Sequence, residues 1–186
     1  FLCIPLRYIL AQKAAPYAAQ ATLALRFKME FIEQSEFLPR IEEIYMEILQ
    51  KLKEIFPDSR IEHIGSSSIP GVISKGDLDI FLGVSKQDFN EAIEQLKCLG
   101  FYEKEDTLRT ESLRMMSTNL YSEDVAIQVV VNGSEYEFFV DFRDKLVSNP
   151  KLVLQYNELK RGCIGMCHER YRAVKSDFIR SVLNVP

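Results

Sequence analysis

The sequence predicts an α+β fold in which one mixed β-sheet packs against helices. A helical period over residues 38–55 opens the pattern, and two strand-like segments then flank a turn of small residues. Three more strand-like segments follow between residues 101 and 132 with no long helix among them, and the last third of the chain is helical in character. This grouping of helices and strands is typical of an α+β protein.

The first predicted helix covers residues 38–55. Apolar residues recur there at three- and four-residue spacing, and Glu and Lys occupy the positions between them. Pro39 suits the first turn of this helix, and Pro57 ends it. A strand at 60–64 then leads into the small-residue turn.

The middle of the chain is predicted to build most of the sheet. A strand at 78–84 is apolar on one face, and Ser85 with Asp88 resembles a capping box that starts a helix, which Gly100 stops. Three further strands are predicted at 101–105, 113–120 and 124–132. With no long helix between them, they suggest an antiparallel or mixed extension of the sheet.

The remaining elements are predicted to be helices. Ser134 and Glu137 suggest a helix start, and Asn149-Pro150 breaks that helix. Two more helices are predicted at 151–162 and 166–182.

Two aspartates at the start of the second predicted strand carry the candidate chemistry. Asp77 and Asp79 are separated by one residue, so in a strand they point to the same face. Two ionised carboxylates side by side repel each other, and a divalent cation such as Mg²⁺ relieves that repulsion. Upstream, Gly65 and three serines form a turn whose N–H and hydroxyl groups can receive a phosphate.

These residues carry a resemblance to a known family. Gly65-Ser66, followed after ten residues by Asp77-Leu78-Asp79-Ile80, resembles the signature of the nucleotidyltransferase superfamily, the DNA polymerase beta-like fold. The finer resemblance is to the GrpB family, and it rests on His63, Ile64, Gly65, Ser66, Ser67, Pro70, Gly71, Lys75 and Asp79. It continues in Phe142, Arg143, Asp144, Tyr156, Lys160, Tyr171 and Lys175 and covers roughly residues 60 to 182. The family usually has an apolar residue at the position of Asp77.

The resemblance implies a nucleotidyltransferase-like sheet and a set of site residues. Asp77 and Asp79 would be the catalytic and metal-binding pair for Mg²⁺. The residues implied to bind the phosphates are Gly65, Ser66, Ser67, Lys75, Arg143, Lys160 and Lys175. Gln128 is the candidate for a third position that is normally acidic. His63 would contact the residues that bind the ligand and not the ligand itself. Because Gln is neutral, single-metal or binding-only behaviour stays open.

Other interpretations of the same residues also stay open. The aspartates could form a solvated strand edge, and the lysines could be surface charges. Arg143 lies between Asp141 and Asp144 and could form an internal ion pair that fixes a helix. Tyr156 and Tyr171 are expected to be packing residues.

Composition limits the possible partners. A net charge of -4 provides no basic surplus to attract nucleic acid. No apolar run reaches the roughly 18 residues of a membrane span. Four cysteines do not form a dense disulfide framework, so we expect reduced thiols and a cytoplasmic protein.

The first 28 residues are Ala-rich, lack acidic residues and precede Met29. We expect them to be a non-native or flexible extension of a single domain that covers residues 29–186. A native arm that mediates association is the alternative.

The sequence leaves three functions in view. The first is an enzyme that moves a nucleotide from a nucleoside triphosphate to an unknown acceptor. The second is a protein that binds a nucleotide or another phosphorylated small molecule without turnover. An interaction scaffold without a ligand is the third, and no motif favours it.

Overall fold

A computed structural model of the protein describes residues 29–184. The predicted extension at residues 1–28 lies outside this part of the chain. The helices are α1 (Gln34–Ile55), α2 (Phe89–Cys98), α3 (Phe138–Val147), α4 (Pro150–Gly162) and α5 (His168–Leu183). The strands are β1 (Arg60–Ile64), β2 (Leu78–Val84), β3 (Tyr102–Glu103), β4 (Leu113–Thr118) and β5 (Val125–Val131). Among these residues, no helix is both long and apolar enough to cross a membrane.

The five strands form one mixed sheet in the order β1-β2-β5-β4-β3. The central pair, β2 and β5, is parallel, with Leu78 opposite Val125, and the other three pairs are antiparallel. The predicted α+β fold with a mixed sheet is therefore confirmed. This topology brings the start of β2 and β5 to the same sheet end as the last residues of β1 and β4.

One face of the sheet packs against α1 and α2. Leu78, Ile80 and Leu82 of β2 are fully buried in this cluster, together with apolar residues of both helices. Burying each such side chain contributes roughly 1.5–3 kcal/mol relative to exposure. The alternation of β2 therefore sends Asp79 to the other face, as predicted, together with Phe81, whereas Asp77 precedes the strand.

The other face packs against the C-terminal helices. Phe81 and Val130 contact Tyr136 and Val140 there, and a neighbouring cluster joins Phe142, Tyr156 and Val182 of the three helices. These contacts place α4 and α5 beside the sheet end where β2 begins.

Helix α1 starts earlier than predicted. It begins at Gln34 instead of residue 38, because Glu33 and Glu36 form a reciprocal capping box at its N-terminus. Pro39 therefore lies inside the helix and not in its first turn. The apolar stripe alone could not locate this start, since the polar first turn carries no periodic signal.

The predicted strand at 101–105 shortens to Tyr102–Glu103. Its first residue, Phe101, instead donates its N–H to Leu96 O over 3.0 Å and so completes the end of α2. Strand β4 likewise stops at Thr118, whose hydroxyl donates to Gly100 O over 3.0 Å. Side-chain and helix-end hydrogen bonds thus replace ladder bonds at these positions.

Ser85 and Asp88 form a turn before α2 instead of capping it. The Ser85 hydroxyl accepts from the N–H of Asp88 over 3.2 Å, and the helix begins at Phe89. The predicted break at Asn149-Pro150 is confirmed, and it also starts α4, where the Asn149 side chain accepts from the N–H of Lys151.

Residues 29–32 form a strap across the C-terminal helices and the segment before β2. Ile32 and Ser74 exchange two backbone hydrogen bonds of 2.8 and 3.1 Å. Met29, 1% exposed, bonds through its backbone to Met166 and Gly165 in the loop between α4 and α5. The strap therefore holds these parts of the chain together beside the candidate site.

Candidate functional site

The small-residue turn and one carboxylate meet at the end of β1. Gly65 has φ of +74°, and a Cβ atom there would lie 2.3 Å from Asp79 Oδ2. Only glycine satisfies both the backbone angle and this close approach. Ser66–Ser68 form a short 3₁₀ turn, closed by the Ser68 hydroxyl donating to Gly65 O over 2.8 Å. The phosphate-binding turn predicted from the sequence thus lies directly against the predicted acid.

Asp77 is the carboxylate whose negative charge is compensated by neighbouring lysines. Its Oδ1 accepts from the Ser74 hydroxyl over 3.0 Å, and its Oδ2 pairs with Lys75 Nζ at 3.0 Å. Burial alone would raise its pKa, but Lys75 and then Lys175 hold the pKa of Asp77 at about 2.

Asp79 has the opposite electrostatic environment. Burial, and then the charge of Asp77, raise the pKa of the Asp79 carboxyl above its ordinary value. Asp77 and Asp79, two positions apart in the chain, therefore repel each other when both are ionised.

Gln128 is buried beside Asp79. Its Nε2 donates to Asp79 Oδ1 over 3.0 Å, and its side chain is 2% exposed. An ionised carboxylate can only accept, so this contact fixes Oε1 as the atom that points away. Gln128 Oε1 is buried and has no hydrogen-bond partner among residues 29–184. The predicted third position is therefore adjacent to Asp79, and it holds an amide in place of an acid.

Lys160 holds the turn in place through a hydrogen bond to Ser66. Its ammonium donates to Ser66 Oγ over 2.6 Å and to the carbonyl oxygen of Ile73, and it lies 4.3 Å from the centre of the Tyr156 ring. The residue is 1% exposed, and burial, together with Lys175, lowers its pKa well below the ordinary value. Lys160 thus connects the turn, the segment before β2 and α4.

Lys175, on α5, contributes a positive charge to the site. Neighbouring Tyr156, and also Tyr171 and both aspartates, raise the pKa of Lys175, while burial opposes them. Lys175 therefore remains an ammonium group close to Asp77 and Asp79.

The two tyrosines pack as predicted. Tyr156 stacks on Phe178 at 5.1 Å between ring centres, and the Tyr171 ring meets Phe31 of the strap edge-on at 5.4 Å. Burial raises the pKa of the Tyr171 hydroxyl.

His63 contacts the turn from the opposite face of β1. Its Nε2 lies 2.9 Å from the hydroxyl of Ser67, and its ring stacks on Tyr45 of α1 at 5.0 Å. Ser67 itself is 1% exposed, so this contact fixes the turn instead of facing solvent. Burial, and then Arg143, lower the pKa of His63 to about 4, which makes the imidazole neutral at pH 7.

Arg143 forms an ion pair within the protein. Its guanidinium pairs with Glu62 on β1 and with Asp144 on α3, and it donates to His63 O over 2.9 Å. Asp144 is one of the partners expected from the sequence, whereas Glu62 was missed because it lies far from Arg143 along the chain. These contacts hold α3 against β1.

Sequence reasoning also missed two neighbours of the site. Ser74, 1% exposed, orients Asp77 through its hydroxyl, and a Ser-x-x-Asp spacing is too common to have identified it. Phe31 lies 5.6 Å from Lys160 Nζ, and no local pattern connects the strap with α4.

A cleft of about 590 Å³ opens beside Asp77. Lys75 and Gly76 line it together with residues of α1 and the loop before β5. A second cleft of about 530 Å³ lies on the other side of Asp124, along the ends of β3 and β4. Asp77 therefore adjoins open space at the end of the sheet.

The GrpB protein family model matches residues 32–184. The chain belongs to the GrpB family. A UPF0157 protein of Vibrio cholerae serotype O1 is 51% identical over 164 residues, which are 88% of this chain and 87% of that protein. The predicted family is therefore confirmed.

Two solved structures resemble this GrpB-family protein. The crystal structure of GrpB from Enterococcus faecalis matches with a TM-score of 0.65 and 20% identity, over 83% of this chain and 98% of that one. The Cid1 poly(U) polymerase bound to MgGTP matches with a TM-score of 0.48 and 15% identity, over 75% of this chain and 43% of that one.

The donor set of this GrpB-family chain fits one divalent cation better than two. Within residues 29–184, no group of three or more His, Cys, Asp or Glu side chains could hold a metal ion. Mg²⁺ is commonly held by one or two carboxylates together with substrate phosphates and water. Asp77 and Asp79 provide that minimal set, and Gln128 adds no charge.

Proposed function

We propose that this GrpB-family protein binds a nucleoside triphosphate with one Mg²⁺ and transfers its nucleotidyl group to an acceptor. One observation carries the proposal: Gly65 approaches Asp79 so closely that no side chain fits between them. A phosphate held by the turn would therefore lie beside the carboxylate pair. The resemblance of Gly65-Ser66 and Asp77-Leu78-Asp79 to the nucleotidyltransferase signature supports the same assignment.

Each part of the site has a distinct role in this proposal. The N–H and hydroxyl groups of Gly65 and Ser66 bind the phosphates, and Lys160 holds Ser66 in position. Asp77 and Asp79 hold the cation, which when bound neutralises the triphosphate. Lys175 offsets the remaining negative charge.

The transfer step needs a proton acceptor. A hydroxyl or amine of the acceptor attacks the α-phosphorus, the bond to the β-phosphate oxygen breaks, and pyrophosphate leaves. Gln128 is neutral and cannot accept the proton. Asp77 and Asp79 would be occupied by the cation, so the proton would pass to solvent water or to the departing pyrophosphate.

The amide at position 128 favours a second candidate function. A site with two acids and no third carboxylate can bind a magnesium nucleotide and turn it over slowly or not at all. In that case the protein acts as a nucleotide-dependent binding module. The ligand would be the same, and only the chemical step would differ.

Ligand-dependent thermal stability tests the shared part of both functions. The melting temperature should be measured with each nucleoside triphosphate, with and without Mg²⁺, for the wild type, for Asp79→Asn and for the exposed control Asp58→Asn. We expect a magnesium-dependent rise that Asp79→Asn loses and Asp58→Asn keeps. No rise with any nucleotide would exclude both functions.

Turnover then separates the enzyme from the binding protein. Each stabilising nucleotide, labelled at the α-phosphate, is incubated with the protein and cell extract. Labelled product that appears with wild type and not with Asp79→Asn supports transfer. Binding without product supports the second candidate.

The cysteines bear on the proposed cytoplasmic location. Cys98, Cys163 and Cys167, the cysteines within the described residues, are free thiols. Reduced thiols are typical of cytoplasmic proteins, which supports the location without identifying it.

A further inference from the structure

The three lysines near the acids differ in their freedom to move. Lys160 is 1% exposed and is held by Ser66 Oγ and the Ile73 carbonyl. Lys175 is partly buried, and Tyr156, Tyr171 and both acids all raise its pKa. Lys75, by contrast, has a 33% exposed side chain and lines the cleft beside Asp77. Lys75 is thus the lysine with room to leave its partner.

Lys75 lies in a loop. Its ammonium contacts only one of the two oxygens of Asp77. Gly71 and Gly76 flank Lys75 with φ of +75° and +82°. Within this loop, Ser74 holds Asp77 Oδ1 and leaves Oδ2 to Lys75 Nζ at 3.0 Å. Asp77 therefore keeps its orientation through Ser74 whether or not Lys75 stays in contact.

A cation that binds both acids must use an oxygen of Asp77. Because Ser74 already donates to Oδ1, Oδ2 is the oxygen that a cation can take most directly, and the Lys75 ammonium contacts that oxygen. An ammonium and a divalent ion repel each other, so the two bind at one carboxylate oxygen less favourably together than either does alone. Lys75 and the cation therefore compete.

We infer that Lys75 is an exchangeable counter-ion, whose ammonium leaves Asp77 Oδ2 when a divalent cation binds and then contacts the phosphates that arrive with that cation. This inference rests on the proposed function for the identity of the ligand. It assigns one residue two successive partners: a carboxylate first and a phosphate afterwards.

The exchange predicts effects of opposite sign on two ligands. Removing the Lys75 ammonium removes the competitor of the metal, so a divalent cation alone should bind more tightly. The same change removes a phosphate contact, so a magnesium polyphosphate should bind more weakly. A lysine that only bound phosphate would change the second affinity without improving the first, and a surface charge would change neither.

The test measures binding of Mn²⁺ alone, by electron paramagnetic resonance, and of inorganic tripolyphosphate with Mg²⁺, by calorimetry. The variants are Lys75→Gln and Lys75→Met, with Lys86→Gln as a matched control that removes an exposed lysine charge beyond the other end of β2. We expect both Lys75 variants to bind Mn²⁺ about fivefold more tightly, the size expected of a partly exposed ion pair. Their affinity for magnesium tripolyphosphate should fall, and Lys86→Gln should change neither affinity.

A further variant tests whether the gain acts through Asp77. In an Asp77→Asn background, Lys75→Met should no longer improve Mn²⁺ binding. An improvement that persists there, or Mn²⁺ binding that is unchanged, weakened or undetectable in both Lys75 variants, overturns the inference. An unchanged tripolyphosphate affinity overturns the transfer of Lys75 to phosphate.

The outcomes separate this inference from the proposed function. If nucleotides stabilise the wild type while the Lys75 variants bind Mn²⁺ with wild-type affinity, the counter-ion role fails and the proposed function stands. If Lys75→Met improves Mn²⁺ binding while no nucleotide stabilises the protein, the exchange at Asp77 stands and the proposed function fails.

Discussion

Lys160 Nζ lies 2.6 Å from Ser66 Oγ, although the two residues are 94 positions apart. The same ammonium donates to Ile73 O, so one buried side chain of α4 connects both ends of the segment between β1 and β2. A buried lysine at this position has two consequences. It fixes the geometry of the turn, and it costs desolvation energy that the surrounding hydrogen bonds must offset.

Replacing Lys160 by Met should loosen the turn. The change removes both hydrogen bonds and leaves the Ile73 carbonyl without its lysine donor, so we expect a loss of about 1–3 kcal/mol in the free energy of unfolding. Denaturant titration measures it, and the exposed Lys151→Met on the same helix is the control. An equal effect of the two variants would contradict the role of Lys160.

Replacing Gly65 by Ala should lower the free energy of unfolding more than the same change at Gly133, a glycine that also has positive φ but has open space around it. At Gly65 the new methyl group would meet Asp79 Oδ2 at 2.3 Å, while at Gly133, with φ of +78°, no atom lies within 4 Å. We expect a loss of about 1 kcal/mol for Gly133→Ala from backbone strain, and of about 2–4 kcal/mol for Gly65→Ala, where a clash is added. Equal losses, measured by denaturant unfolding, would mean that the turn moves freely away from Asp79.

Burial of His63 should make stability depend on pH. Because the folded protein lowers the pKa of His63 from 6.5 to about 4, the unfolded chain binds a proton that the folded protein does not. Stability should therefore fall as the pH decreases from 6.5 towards 4, by at most about 1.4 kcal/mol per pH unit from this group. In His63→Gln this part of the dependence of the free energy of unfolding on pH should disappear. Free energies of unfolding measured from pH 7 to 4 test it, and parallel curves for the two proteins would contradict the assignment.

Replacing Gln128 by Glu should exchange a hydrogen bond for a repulsion. The amide that donates to Asp79 becomes a third carboxylate, so we expect a lower melting temperature in chelator and a larger rise with Mg²⁺ than in the wild type. Gln128→Met removes the hydrogen bond without adding charge and is the matched control. A similar response of the two variants to Mg²⁺ would show that position 128 lies too far from the cation to bind it.

The amino-acid sequence by itself determined the order of the elements and the composition of the site. Period-two alternation in β2 separates Leu78 and Ile80 from Asp79, and this depends only on local backbone geometry. The Gly-Ser turn and the paired acids were recognisable for the same reason, since each is a short local motif. The ends of α1, β3 and β4 were less predictable, because hydrogen bonds from side chains and neighbouring elements decide them.

Only the tertiary structure decided which partner each charge takes. Arg143 pairs with Glu62 across β1 and α3, while Lys75 pairs with Asp77 two residues away. Both choices depend on which groups the fold brings within a few ångströms of each other in partly buried surroundings, where an unpaired charge is costly. Spacing along the chain cannot supply that information, since Coulomb energy depends on distance in space and on burial.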